Sequence, residues 1–113
     1  MRNLDAIPEL CVVTTTVKSM EDATQLARQI VERQFAACVQ LDAIAASVYS
    51  WEGKVCVEPE VRLTIKTIGA MLDTLESLFA DAHPYEVPQF VVTRATGSKD
   101  YGNWVYANVA VDF

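Results

Sequence analysis

Three cysteines (Cys11, Cys38 and Cys56), a single histidine (His83) and a few polar residues are the groups in this chain with types suited to chemistry. The histidine stands in a tight run, His83-Pro84-Tyr85-Glu86. An imidazole and a carboxylate so close in sequence suit a metal ion or a small molecule. Cys38 follows Ala36-Ala37 and could act as a soft ligand, or pair with His83 as an activated nucleophile. Each has a plainer role. A thiol beside two alanines is most often inert core filler, and an imidazolium suits the negative end of a helix dipole. Lys66 is either a solvated charge or an anion-binding group. Glu86 fits a ligand site or a solvated loop, and Trp51 fits a cleft or simple apolar cover.

Common enzyme templates are missing from the sequence. It has no GxxxxGK[ST] loop and no HxE with PCxxC, and one histidine is too few for a His-rich zinc site within one subunit. Lys and Arg number 9 against 15 Asp and Glu, a net charge of −6, which argues against binding to a phosphate backbone. With 113 residues, 51% hydrophobic and 21% charged, the expectation is one folded domain spanning 1–113. No uncharged run approaches the roughly 20 apolar residues of a spanning helix. Asp5 and Glu9 interrupt any signal-peptide apolar region. An odd number of cysteines without CxxC spacing predicts free thiols and a cytoplasmic location.

The elements that must position these groups follow from periodicity. Leu10 to Thr16 is short and β-branched, a buried strand. Ser19 and Asp22 make a capping-box signal, and Ala23, Leu26, Ala27, Ile30, Val31 and Phe35 form one stripe of a helix of four to five turns. From Cys38 the period becomes two, with a phase slip near Asp42-Ala43 that suggests a bulge. Glu52-Gly53 supplies a hairpin turn. On the return arm Val55, Val57, Val61, Leu63 and Ile65 share one face and Cys56, Glu58, Glu60, Arg62, Thr64 and Lys66 the other. Pro59 requires an edge or a bulge.

Both arms exceed the usual strand length of about 5–6 residues, so the hairpin should overhang its domain. Another copy of the chain is the natural cover for it; a hairpin curled over its own core is the alternative. Met71, Leu72, Leu75, Leu78, Phe79 and Ala82 form a second helix that ends at His83, before Pro84. Gln89 to Ala95 reads as a last strand, and Asp100 to Val109 as a short C-terminal helical turn or lid. The order βαββαβ predicts an α+β, ferredoxin-like sandwich. That topology puts Cys38 and His83 at opposite ends, roughly 20 Å apart at 1.5 Å per helical residue, so only a neighbouring subunit could bring further groups to His83.

The segments Phe35-Ala36-Ala37-Cys38, Tyr49-Ser50-Trp51-Glu52-Gly53-Lys54, Ile65-Lys66-Thr67, His83-Pro84-Tyr85-Glu86-Val87-Pro88 and Asp100-Tyr101 with Trp104 resemble, in order and spacing, the CutA divalent-cation tolerance family over about residues 11 to 108. The resemblance implies a ferredoxin-like fold closed by its long hairpins into a PII-like homotrimer. It also implies binding of copper or other divalent cations for buffering or sensing, without catalysis. The family's site of two cysteines and a loop histidine maps onto Cys38 and His83, while its first-strand cysteine falls on Thr15. Cys11 lies four residues earlier, about 13 Å along a strand, and Gln89 replaces the acid that often follows the second proline. A weaker, imidazole-centred Cu(II) or Zn(II) site, completed by Glu or water, is the expectation. A PII-like module holding a small anionic ligand between Lys66, Tyr85, Glu86 and Trp51 is the second reading, and a structural trimer scaffold the third.

Overall fold

The computed structural model describes residues 8–110. Strand β1 (Glu9–Val17) leads through helix α1 (Met20–Glu32) to the long strands β2 (Cys38–Trp51) and β3 (Lys54–Thr67). A short 3₁₀ turn (Gly69–Met71) precedes α2 (Leu72–Ala82), strand β4 (Val91–Thr96) and α3 (Lys99–Ala107). The sheet is antiparallel in the order β2-β3-β1-β4. β1 and β2 therefore run the same way with β3 between them, the split βαβ arrangement of a ferredoxin-like sandwich.

One face of the sheet carries the main core. Val13, Thr15 and Val17 stand opposite Ile65, Leu63 and Val61. Onto this face α1 packs Ala23, Leu26 and Ile30, and α2 packs Leu75, Leu78 and Phe79. The Ser19 side chain caps α1 by accepting from the Asp22 amide at 3.1 Å, as its sequence signal indicates. A second cluster of Leu10, Ile68, Met71, Val105 and Val109 fixes α3 at the end of the sheet. Gly102 is required there, because a Cβ on it would stand 2.6 Å from the Pro8 ring.

Several expectations are corrected. Helix α1 stops at Glu32, about three and a half turns at 3.6 residues each, because Gln34 takes a left-handed φ of 61°. Phe35 thus lies beyond the helix, and Val31 is exposed rather than part of the buried stripe. The bulge falls between Ile44 and Ser47, not at Asp42-Ala43. There Ala45 and Ala46 oppose the single residue Pro59, whose missing N–H makes it the natural place for pairing to lapse. Met71 belongs to the 3₁₀ turn, and the last strand begins at Val91 rather than Gln89. The tail is a nine-residue helix, capped by Ser98 through the Tyr101 amide at 3.2 Å.

The hairpin turn uses φ of 51° at Glu52 and 78° at Gly53, the two positive values of a type I′ turn. Beyond the Val17–Val61 pair β1 ends, and the arms continue with only each other for company. Val61, Leu63 and Ile65 are buried, but Val48, Val55 and Val57, on the continuation of the same face, are 68%, 76% and 62% exposed. The buried face of β3 therefore extends over only its domain half. The described residues span 55 Å along their longest axis and about 22 Å across, and the hairpin accounts for that length.

Candidate functional site

His83 is placed by a helix end. Pro84 disfavours helical geometry in the residue before it, so His83 turns extended (φ −74°, ψ 134°) as the C-cap of α2, its amide still bonded to the Phe79 carbonyl at 3.0 Å. The ring turns inward and is 8% exposed. It lies between Phe79 and Tyr85, with centroids 5.3 and 5.2 Å away. Its Nε2 is 3.0 Å from the Thr15 hydroxyl, on the helix-covered face of β1. Its Nδ1 accepts the Tyr85 backbone N–H at 3.1 Å.

These two contacts decide the tautomer. A backbone N–H is an obligatory donor, so Nδ1 carries the lone pair and the neutral ring holds its proton on Nε2, which donates to Thr15. Burial holds the His83 pKa below its ordinary 6.5, against a weaker opposite pull from the Thr16 carbonyl and the Glu60 carboxylate. Beside the ring, Thr16 donates to the Gln89 side-chain carbonyl at 3.3 Å.

From the ring the contacts lead outward onto the hairpin. The Tyr85 hydroxyl donates to Glu60 Oε2 at 2.7 Å. Burial and this carboxylate together push the phenol well above its ordinary range. Next along, the Tyr49 hydroxyl donates to the Glu58 carboxylate, and that bond raises its pKa to about 12. A continuous path of polar contacts thus joins the buried β1 strand, the end of α2, the 83–90 connection and the root of the projecting hairpin.

The other expected site residues lie apart. Thr15 pairs with Leu63, which pairs with Leu41. Cys38 is three residues from Leu41 on β2, an odd step that puts it on the opposite face of the sheet from Thr15 and His83. It stands across from Lys66, whose ammonium lies 5.9 Å from the centre of the Tyr101 ring. Trp51 is at the hairpin tip, paired with Lys54, and Lys54 is some twelve residues, about 40 Å, along β3 from Lys66. Glu86 is exposed beside Tyr85. One chain therefore gathers His83 with Tyr85 and, separately, Cys38 with Lys66. Among the described residues no three His, Cys, Asp or Glu side chains converge as a metal cage, so His83 and Glu60 are the donors available near the ring. All three cysteines are free.

Sequence reasoning passed over Thr15 as a hydrogen-bonding partner, together with Glu60, Glu58 and Tyr49. Their signal was faint. Glu58 and Glu60 flank Pro59 on the polar side of the return arm, and Tyr49 reaches Glu58 only in the register that the displaced bulge sets.

An antiparallel β2-β3-β1-β4 sheet, two helices on one face and a long free hairpin define a ferredoxin-like α+β protein without an assembled nucleophile–base pair among the described residues. The family model described as CutA1 divalent ion tolerance protein matches residues 11–108. The chain belongs to that family. It is 35% identical over 105 residues to the divalent-cation tolerance protein CutA of Citrobacter koseri, covering 92% of this chain and 91% of that one. Its structure is similar to that of CutA from Synechococcus elongatus, with a TM-score of 0.86, 33% identity and coverage of 90% and 91%. The periplasmic divalent cation tolerance protein CutA from Archaeoglobus fulgidus also matches, with a TM-score of 0.86, 25% identity and coverage of 89% and 99%. The family is named for cation tolerance and not for a reaction. No helix among the described residues is long and apolar enough to cross a membrane.

Proposed function

We propose that this chain serves divalent-cation tolerance as a homotrimer that binds copper or another divalent ion weakly at His83, to buffer or sense it. The observation that carries this reading is the one imidazole of the chain, buried 3.0 Å from Thr15 and linked through Tyr85 to the Glu60 carboxylate. Imidazole and carboxylate suit Cu(II) or Zn(II). A third donor must come from water or from a neighbouring copy, which is also the only route by which Cys38 could contribute. The exposed valines of the free hairpin support assembly, because a partner copy would bury them. The three free thiols suit the cytoplasm.

The test is calorimetric titration of Cu(II) and Zn(II) into tag-free protein whose mass in solution is known, beside His83→Ala and His83→Gln. Saturable uptake lost in both variants is expected. Equal uptake by all three proteins would refute a site at His83 and leave only an acidic surface.

A PII-like role in binding a small anion has one observation in its favour. Lys66 is half-buried on the sheet face opposite the main core, over the Tyr101 ring, and forms no ion pair among the described residues. Thermal-shift screening of anionic ligands tests it, since binding to the folded state raises the melting temperature; Lys66→Gln should abolish any shift.

A further inference from the structure

A neutral imidazole has one in-plane lone pair. In His83 that pair is on Nδ1 and is taken up by the Tyr85 amide, while the Nε2 proton serves Thr15. His83 can therefore present its lone pair to a cation only by dropping Tyr85. At Nδ1 the amide is displaced directly. At Nε2 the ring proton must first pass to Nδ1, where it opposes the Tyr85 N–H, donor against donor. Either way the same backbone bond is lost.

Tyr85 is also the residue whose hydroxyl holds Glu60 at 2.7 Å. It follows Pro84, whose ring restricts φ, so the 84–88 segment adjusts largely at Tyr85 and beyond. A displaced Tyr85 backbone carries its side chain with it and lets go of the carboxylate. The groups facing this unit are Thr15 and Thr16 of β1, Phe79 of α2, Gln89, and Glu60 of the hairpin.

We propose that the His83–Tyr85–Glu60 chain is a latch that cation binding opens, releasing Tyr85 from both partners and freeing the Glu60 carboxylate as the second ligand beside the imidazole. The inference rests on the reading of His83 as the cation site. It explains why a buried histidine with both nitrogens occupied would bind weakly at rest. It also connects occupancy of the site to the root of the hairpin, the element that projects from the domain.

The experiment uses the whole chain and Zn(II), which is diamagnetic. Nitrogen NMR of the labelled imidazole in the metal-free protein should show Nε2 protonated and Nδ1 bare; the reverse tautomer would overturn the latch without any variant being made. Saturating Zn(II) should raise hydrogen exchange at the Tyr85 amide at least tenfold. Tyr85→Phe, which lacks the hydroxyl bonded to Glu60, should bind Zn(II) about ten- to a hundredfold more tightly, the equivalent of one charge-assisted hydrogen bond no longer broken on binding. If Zn(II) binding disappears in His83→Gln but Tyr85→Phe binds as the wild type does and the Tyr85 amide stays protected, the latch is wrong and the site stands. If His83→Gln binds Zn(II) normally, the site at His83 is wrong and the latch falls with it.

Discussion

Replacing His83 with alanine removes a ring that meets three separate elements, so its cost can be assembled from the contacts. The Thr15 hydroxyl and the Tyr85 amide each lose a partner, worth about 0.5–1.5 kcal/mol net apiece and more where the group left behind stays dry. The void beside Phe79 adds a packing term, and large-to-small changes at buried sites cost about 2–5 kcal/mol in all. About 2–4 kcal/mol is expected for His83→Ala at pH 7.5. His83→Gln, which keeps one donor and one acceptor, should cost about half as much. Urea unfolding followed by far-ultraviolet circular dichroism, at one fixed protein concentration, reads both values.

The same experiment repeated at lower pH isolates the imidazole. Burial holds the folded-state pKa of His83 below 6.5, so below that pH the unfolded chain takes up a proton that the folded chain refuses. The stability this group contributes is complete above pH 6.5 and is lost as pH falls towards the folded value. Wild type should therefore weaken between pH 7 and 5 by more than His83→Gln does. An alanine variant within about 0.5 kcal/mol of wild type, or parallel pH profiles for wild type and His83→Gln, would refute the account of a neutral, doubly bonded ring.

Val57→Asp places a charge on the exposed apolar face of the hairpin; since full burial of a valine contributes about 1.5–3 kcal/mol, light scattering should show the variant as a smaller species than wild type. An unchanged mass would count against the proposed assembly through the hairpin. Leu63→Ala, at a fully buried position under both helices, should cost about 2–5 kcal/mol by urea unfolding, and a loss under 1 kcal/mol would contradict the core assignment. Gly102→Ala drives a Cβ to 2.6 Å from the Pro8 ring and should destabilise by about 1–3 kcal/mol; a neutral effect in the same assay would show that Pro8 yields easily.

Much of the fold was legible in the sequence because side-chain direction is a local property. The pleat sends Val61, Leu63 and Ile65 to one side of β3 and Arg62, Thr64 and Lys66 to the other whatever the strand pairs with. Likewise Ser19 before α1 and Pro84 after α2 mark helix ends through backbone groups a few residues away. The misplacements have local causes too. The stripe through Phe35 fits a helix, but Gln34 turns left-handed first, and a phase slip read from Asp42-Ala43 is resolved instead where Pro59 fails to donate.

What depended on the tertiary structure is how far each pattern remains covered and what each polar group meets. Val55 and Val57 alternate as faithfully as Leu63 and Ile65, yet they are exposed because the neighbouring strand β1 ends at Val17. No pattern within β3 encodes the length of β1. The sequence by itself determined that the single histidine stands at a helix end before a proline. It could not determine the ring's protonation, because one partner, Thr15, is 68 residues away, and Tyr85 in turn is anchored to Glu60, 25 residues back. Hydrogen bonds have directions set by three-dimensional placement, so only the folded chain decides which nitrogen of His83 holds its proton and which group must leave before anything else can bind there.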